Sequence, residues 1–427
     1  MKLNRLTLTL TLLLAAAGAQ GQTALRLSLA EAQQYAVEHN ANMQNATLDV
    51  KKAELERWKT LGTMLPQVKA GFDYQNMCGY KMNMANFSIP MDPTGTFSLT
   101  ASVALTGAQV VGTMLQSIAM RMSDISRRQT AQETRSQVKN IYVSILVMEQ
   151  TAGLLDSSLA NLERLAATSQ ASVDVGAAEQ VDADKLQVQV ASMKNTVNST
   201  RRSLQLLRNS LVLQLGASVD TRVELTTPLD EILNVEGAAS LLGKQFEPER
   251  NYNYQLLQEN EKLARRNVAM AWMDFTPTLS AYYQYSKKHY FGSEGMNMTP
   301  PNMIGASVSL PLFQSGTRAA NVKSSKIALQ ETLNSKRQAE DGLRVQYNQL
   351  CYDLASALET YDIQSRNLDV SKRVFNNLAE KYKFGRASSL EVTNASTDII
   401  SAQSNYIQAV MSVVSAQLSL ENLLNVE

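Results

Sequence analysis

Two kinds of hydrophobic pattern divide this chain. In four short stretches apolar and polar side chains alternate with a period of two, which predicts β-strands. These stretches lie at about 66–76, 96–106, 277–287 and 302–311. In the long stretches that follow each strand pair, apolar residues recur at alternating spacings of three and four, as on the packed face of a coiled-coil helix. The pattern therefore predicts strand pairs joined by long, packed helices.

The strands have the length of membrane-crossing segments, since about ten residues cross a bilayer when tilted. In the first strand Phe72 and Tyr74 face one way, and Lys69 and Asp73 face the other. A soluble, half-buried sheet shows the same alternation, so both possibilities stay open on this pattern alone. A sheet that spans a membrane must be closed, and four strands cannot close. If the strands lie in a membrane, several chains must share one barrel, and more than two are needed to leave a lumen.

Proline placement favours very long helices. Proline breaks helix interiors, and none occurs in 94–227 or 312–427. A helix of about 65 residues reaches roughly 100 Å, far more than a globular core needs. Within each proline-free stretch a glycine, Gly176 or Gly385, separates two helical patterns. Glycine supplies the left-handed residue that ends many helices, so we expect two helical hairpins.

The chain contains two copies of one unit. Residues 40–74 align with 251–285 without a gap, which pairs Pro66 with Pro277 at the start of a strand in each copy. Two further blocks match in the same order at nearly the same offset, which indicates an internal duplication. Those blocks pair Ala101, Ser102, Val103 and Leu105 with Ala306, Ser307, Val308 and Leu310, and Gly176, Asp182 and Leu215 with Gly385, Glu391 and Leu424.

The beginning of the chain has the pattern of a secretory signal peptide. Lys2 and Arg5 precede an apolar run, and Ala17-Gly18-Ala19 fits a cleavage site, although cleavage after Gly21 fits nearly as well. The predicted organisation is a signal peptide at 1–19, a first repeat at 20–216, a linker at 217–250 and a second repeat at 251–427.

Charge and composition exclude several classes of protein. The formal charge is +1, which becomes about −1 once the two basic residues of the signal peptide are removed, so we expect no nucleic-acid partner. Beyond the signal peptide there is no apolar run long enough for a transmembrane helix. Cys78 and Cys351 are expected to be unpaired thiols rather than a disulfide or a metal pair.

Catalytic chemistry has little support in the sequence. The two histidines, His39 and His289, lie far apart, and no metalloprotease, hydrolase, nucleotide or dinucleotide motif occurs. A paired-carboxylate site is not excluded by sequence, but such sites need a concave pocket, whereas long helical seams build rods. We therefore expect no enzyme, no cofactor and no metal site.

The second hairpin turn carries a recognisable motif. It contains Tyr382, Gly385, Ser388, Glu391 and Val392 in the spacing Y-x-x-G-x-x-S-x-x-E-V. Together with the duplicated unit and the strand pairs that begin at proline, this motif resembles the outer-membrane efflux protein family, whose type member is TolC. The resemblance implies an α plus transmembrane β fold. A homotrimer of duplicated protomers would form a twelve-stranded β-barrel continued by a long periplasmic α-helical barrel.

The resemblance also implies a function and partners. The protein would be the outer-membrane exit duct of a tripartite efflux or type I secretion system. It would conduct substrates passively from a periplasmic adaptor and an inner-membrane pump, of the RND or ABC type, and would contact outer membrane lipid. The linker would belong to an equatorial collar. The alternative is a trimeric, outer-membrane-anchored coiled-coil stalk or adhesin without a transport role.

The resemblance assigns roles to residues around the two turns. The family usually has arginine where this chain has Ala387, and a second acidic residue where it has Asn394, so Glu391 would form the one acidic ring. Such a ring attracts cations. The implied sites are an adaptor-facing tip at Gly176, Ala177, Ala178, Gly385, Arg386 and Ala387; a constriction at Glu391 and Asn394; closed-state links at Asp182, Tyr382 and Arg386; and helix–strand junctions at Pro66 and Pro277.

Overall fold

The computed structural model describes residues 25–84, 87–292 and 300–426. The predicted signal peptide lies outside these residues. The first repeat contains β1 (Leu25–Leu27), α1 (Leu29–His39), α2 (Ala41–Gly62), β2 (Gln67–Gln75), β3 (Lys81–Met84), β4 (Phe87–Pro90), β5 (Thr94–Leu105), α3 (Gly107–Asp174) and α4 (Gln180–Leu215). The rest contains β6 (Val223–Leu225), α5 (Leu229–Ile232), α6 (Val235–Ser240), α7 (Tyr252–Met273), β7 (Thr278–Tyr290), β8 (Asn302–Ser309), α8 (Thr317–Lys383) and α9 (Ser389–Leu424).

The helices follow the proline-free stretches. α3 and α8 have 68 and 67 residues, and their return helices α4 and α9 have 36 each. This equivalence of the two halves confirms the predicted duplicated, largely helical protomer. In the described part of the chain, no helix has both the length and the apolar character needed to cross a membrane.

The chain divides into two compact units, each of which draws on both repeats. The helical unit takes the described residues up to Ala46, Arg127–Tyr252 and those from Glu340 onward. The sheet unit takes Thr47–Ser126 and Asn253–Ala339. The duplication therefore combines equivalent segments within each unit instead of giving one unit per repeat.

The sheet unit is built on a four-stranded antiparallel sheet in the order β2-β5-β7-β8. Its register places Val68 opposite Ala101, Ala101 opposite Tyr283, and Tyr283 opposite Ile304. The apolar residues of all four alternating patterns consequently share one face, which is exposed in this chain, with Ile304 83% exposed. A separate hairpin of β3 with β4 was not indicated by the alternation.

The two ends of the sheet differ in what they join. At the helix-side end, Pro66 and Pro277 directly precede β2 and β7, and α3 and α8 follow β5 and β8. A proline suits this position because it cannot extend a helix and is accepted at the first residue of a strand. The other end, called the distal end below, carries the connections from β2 to β5 and from β7 to β8.

The helical unit has the same capping contact twice. The Asn40 side-chain amide donates to the Gln214 carbonyl at 2.8 Å, and that of Asn251 donates to the Leu423 carbonyl at 3.0 Å. Each amide thereby satisfies a carbonyl at the C-terminus of a return helix, where carbonyls lack a partner in the helix. The paired asparagines of the sequence alignment thus perform one structural task in both repeats.

Tyr142, which the sequence pattern did not single out, anchors the linker to α3. Its side chain is fully buried. Its hydroxyl donates to the Leu27 carbonyl at 3.1 Å and accepts from the amides of Thr226 and Thr227 at 3.1 and 3.0 Å. A buried hydroxyl needs such partners, and these three bonds hold the parallel pair of β1 and β6 against the helices.

Candidate functional site

The two helical hairpins turn through the same backbone geometry. Gly176 and Gly385 have φ angles of 72° and 64°, in the left-handed region. At the first turn the backbone amide of Gly176 donates to the Val173 carbonyl, and that of Ala177 donates to the Ser172 carbonyl. At the second turn the amide of Gly385 donates to the Tyr382 carbonyl, and that of Arg386 donates to the Lys381 carbonyl. All four bonds are 2.8–2.9 Å long. This pair of bonds is the Schellman motif, which ends a helix with glycine.

The two return helices begin differently. Ser388 caps α9: its hydroxyl accepts from the Glu391 amide at 3.2 Å, while the Glu391 carboxylate accepts from the Ser388 amide at 2.7 Å. This reciprocal arrangement is a capping box. The bonds from the Ser388 amide and hydroxyl lower the pKa of Glu391. Glu179 at the start of α4 makes no side-chain capping bond.

One apolar core holds the two hairpins together next to the turns. Residues of α3, α4, α8 and α9 contribute to it, so that the position of each turn depends on the packing of both repeats. The buried members are Leu155, Leu162, Leu165, Ala166, Leu186, Met193, Val197, Phe375, Ala379, Val392, Ala395 and Ile399.

Hydrogen bonds also link the hairpins. The Ser389 hydroxyl donates to Asp182 at 2.5 Å, joining the first turns of α9 and α4. The Tyr382 hydroxyl donates to Ser169 at 3.0 Å, joining α8 to α3. The predicted link residues Asp182 and Tyr382 thus each contact the other hairpin within one chain. The Arg386 side chain is exposed and forms no ion pair with the described residues.

The exposed face at the start of α9 carries the predicted constriction residues. Glu391 and Asn394 are both exposed. Asp398, which the sequence analysis did not include, is exposed on the same face, because residues three and seven positions further along a helix return to it. Within the described residues, no group of three or more His, Cys, Asp or Glu side chains has an arrangement suited to a metal ion.

The sequence profile of the outer membrane efflux protein family matches residues 249–426, which nearly coincide with the predicted second repeat at 251–427. The chain is thus similar to the outer membrane efflux protein family over somewhat less than half of its length. It is 21% identical over 303 residues to the outer membrane efflux protein BepC of Brucella suis. That alignment covers 69% of this chain and 64% of BepC, so the chain spans less than two thirds of that relative's length.

Solved structures of similar fold extend the match to both repeats. VceC of Vibrio cholerae, an outer membrane protein, has a TM-score of 0.70 at 14% identity, covering 93% of this chain and 95% of that one. The open state of the MtrE outer membrane channel of Neisseria gonorrhoeae has a TM-score of 0.72 at 17% identity, covering 93% and 88%. The resemblance stated from sequence is confirmed, and the similarity to outer membrane efflux proteins supports the prediction that the chain is not an enzyme.

Both hairpin turns expose large apolar side chains at equivalent positions. Val175 and Phe384 directly precede the two glycines and are 79% and 75% exposed. Val181 and Leu390, at the starts of α4 and α9, are also exposed. Exposed apolar side chains that cluster at a surface mark interaction sites. The duplication therefore presents one apolar pattern twice.

Beyond the predicted Asp182 and Tyr382, sequence reasoning missed other polar residues that join the two hairpins. Besides Ser389, the buried Gln189 side chain donates to the buried Ser396 hydroxyl at 3.1 Å. Ser389 and Ser396 are seven residues apart, as are Asp182 and Gln189, so the two contacts repeat after one heptad. A search for polar residues at heptad spacing within the apolar seams would have found them.

Proposed function

We propose that this chain is the outer-membrane exit duct of a tripartite export system, serving efflux or type I secretion. The apolar pattern that both hairpin turns expose carries this proposal, because a duplicated docking tip is what a ring-shaped periplasmic partner needs. Conduction through the duct is passive, and an inner-membrane pump supplies the energy.

Unpaired surfaces in each unit support a homotrimer. In the sheet unit, β2 and β8 each pair with a single strand of the described chain, which leaves two open edges. Open edges pair readily with other strands. Edge-to-edge pairing of identical chains is head-to-tail and closes into a ring, and three sheets of four strands supply the twelve strands of a barrel with a lumen.

The helical unit has matching exposed seams. Val188, Leu206 and Leu213 are exposed on α4, and Val345 and Tyr352 on α8. A monomer rarely exposes such rows of large apolar side chains. Because the seams lie on different helices, packing α4 of one protomer on α8 of the next buries both and repeats around a ring.

At the tip, the assigned adaptor contacts are the exposed turns around Gly176 and Gly385. Ala177, Ala178, Arg386 and Ala387 are small or flexible side chains beside the four exposed apolar ones, so a partner's side chains can approach the backbone there. The apolar residues supply buried area, and Arg386 supplies a charge for partner selection.

The constriction is assigned to the α9 face that carries Glu391, Asn394 and Asp398. Three symmetry-related copies of each side chain would surround the axis of the ring. Two carboxylate levels separated by an amide level favour cations over anions. Asp398 then supplies the second acidic level that the family pattern expects at position 394.

Site-specific photo-crosslinking in intact cells tests the proposal. A photoreactive residue at Ala387 should capture a periplasmic adaptor protein, and the pump that co-purifies with it identifies the export class. The control places the same residue at Arg202, which is exposed but lies well along α4 from the turn. Capture at Arg202 alone, or at neither position while the protein resides in the outer membrane, would refute the docking tip.

Native mass spectrometry tests the oligomer separately. Mild detergent extraction should give a species of three chains. A monomer or dimer as the dominant species would contradict the shared ring. That result would also contradict the alternative hypothesis of a coiled-coil stalk or adhesin, because the stalk requires a trimer as well.

A further inference from the structure

The apolar face of the sheet ends in basic side chains at its distal end. On β7 this face carries Leu279, Ala281, Tyr283 and Tyr285, and then Lys287 and His289. The register places Lys287 opposite Phe97. Strand alternation therefore keeps Lys287 on the same side as the apolar residues and not on the polar side.

Aromatic rings pack together at this level of the face. The Phe291 ring lies 4.9 Å from His289 and 5.7 Å from Tyr74, both in edge-on geometry. Gly95 lies beneath them: a Cβ atom there would lie 3.2 Å from the Phe291 ring and 3.3 Å from that of Phe72. The missing side chain at position 95 leaves room for the cluster.

The basic side chains are confined to the distal end of this face. Lys287 and His289 are exposed, and Lys287 forms no ion pair with any described residue. At the helix-side end the same face finishes with Leu105, Leu279 and Val308, which carry no charge. The face is thus apolar over most of its height, aromatic near the distal end, and cationic beside the rings.

We propose that Lys287 and His289 bind the phosphate groups of a glycolipid in the outer leaflet of the outer membrane. The inference rests on the proposed orientation, in which the helices extend into the periplasm and the distal end faces outward. The apolar band would contact acyl chains, and aromatic side chains mark the interface. A lysine beside the rings extends its ammonium group to headgroup level, where phosphate oxygens accept charge-assisted hydrogen bonds.

A lipid fits this surface better than a protein or a nucleic acid. The acyl chains match the continuous exposed apolar residues, and the phosphates match the exposed ammonium group of Lys287 at their edge. The opposite face of the same strands carries mixed charge, with Lys69, Asp73 and Lys288, so the charge complementarity belongs to the apolar face alone.

Native mass spectrometry with added lipid A tests the site. The purified full-length protein is incubated with diphosphorylated lipid A or with the same lipid after removal of both phosphates. Lys287→Gln should lower the bound fraction about fivefold, the effect of one charge beside a membrane surface, and His289→Gln should lower it further. Dephosphorylated lipid should bind the unchanged protein as weakly as the phosphorylated lipid binds the variant that carries both substitutions.

Lys288→Gln is the matched control, because the neighbouring Lys288 lies on the opposite face, with its ammonium 5.1 Å from the centre of the Tyr290 ring. This variant should retain the bound lipid. Equal loss in both lysine variants, no effect of phosphate removal, or displacement of the lipid by millimolar inorganic phosphate would overturn the proposal. No adaptor or pump is needed, so failure here leaves the export proposal standing.

Discussion

Ser389 and Asp182 join the two repeats at the point where both return helices begin. The Ser389 hydroxyl, which is buried, donates to the Asp182 carboxylate at 2.5 Å. Lys185 lies 3.7 Å from the same carboxylate, one turn along α4. One heptad further, Gln189 and Ser396 repeat the link. The hairpins are therefore held together by an apolar core and by a short series of polar contacts that repeat after one heptad.

Loss of the Ser389–Asp182 bond should loosen the tip. We expect Asp182→Asn and Ser389→Ala each to weaken the link by about 1 kcal/mol and to raise the mean conductance in planar bilayers. The double variant should add little, since both changes remove one bond. Asp184→Asn is the control, because Asp184 accepts from Gln180 on its own helix. The link would be contradicted if the effects of Asp182→Asn and Ser389→Ala on conductance were fully additive in the double variant. It would also be contradicted if Asp184→Asn raised the conductance by the same amount.

Glu391→Gln should lower the preference for cations, measured as the reversal potential across a salt gradient. The reason is the loss of a carboxylate from the proposed constriction. Because Ser388 lowers the pKa of Glu391, the unchanged channel should keep its preference in mild acid and lose it only as the pH falls through that lowered pKa. Glu380→Gln, at an exposed ion pair with Lys383, should leave the reversal potential unchanged. An unaltered potential in Glu391→Gln removes this residue from the constriction.

Glu259 should make the stability of the sheet unit depend on pH. Burial raises the pKa of Glu259, but hydrogen bonds from Lys262 and Arg121 outweigh that effect, so the pKa is lowered. A lowered pKa in the folded state means that the stabilisation is complete above the ordinary carboxylate pKa and disappears as the pH falls through the lowered one.

We therefore expect Glu259→Gln to lower the free energy of unfolding by about 1–2 kcal/mol at neutral pH. The loss is modest because the side chains of Arg121 and Lys262 are half-exposed. Thermal unfolding followed by circular dichroism measures it. The difference from the unchanged protein should shrink in acid. Glu56→Gln breaks only an exposed pair with Lys59 and should change little. A loss that is the same at every pH would disprove the linkage.

The two faces of the sheet should tolerate charge differently. Ala101 lies on the apolar face, between Val68 and Tyr283, so Ala101→Arg should cost about 2–4 kcal/mol if it lies near the bilayer midplane. The adjacent Ser102→Arg places the same charge on the polar face and should be tolerated. Urea titration of folding into lipid vesicles compares the two. Equal tolerance would mean that the apolar face does not contact lipid.

Replacing glycine with alanine should have opposite effects on stability at a hairpin turn and within a helix. Gly385 has open space around a Cβ atom but a φ of 64°, so Gly385→Ala should destabilise the turn by about 1 kcal/mol. Gly153, within α3, also has open space, and Gly153→Ala should stabilise the helix by about 0.5–1 kcal/mol. Thermal unfolding gives the sign of each. Unchanged thermal stability of the Gly385→Ala variant would show that the stability of the turn does not depend on a left-handed glycine.

Sequence patterns predicted the elements well where one short-range rule applied. Period-two alternation marked β2, β5, β7 and β8, because a strand exposes successive side chains on opposite faces. Proline-free stretches marked α3 and α8, since proline is excluded from helix interiors. The hairpin β3–β4 carried no such signal, as its four-residue strands are too short for a pattern to stand out.

The sequence by itself determined the duplication, the two glycine turns and the alternation of the strands, since each depends on residues that are neighbours along the chain or repeat at a fixed offset. Only the tertiary structure decided that β5 pairs with β7, so that both repeats form one sheet, and that Ser389 meets Asp182. These contacts join residues far apart in sequence. Which side chains meet there follows from the packing of whole helices and from strand register, and no local pattern encodes either.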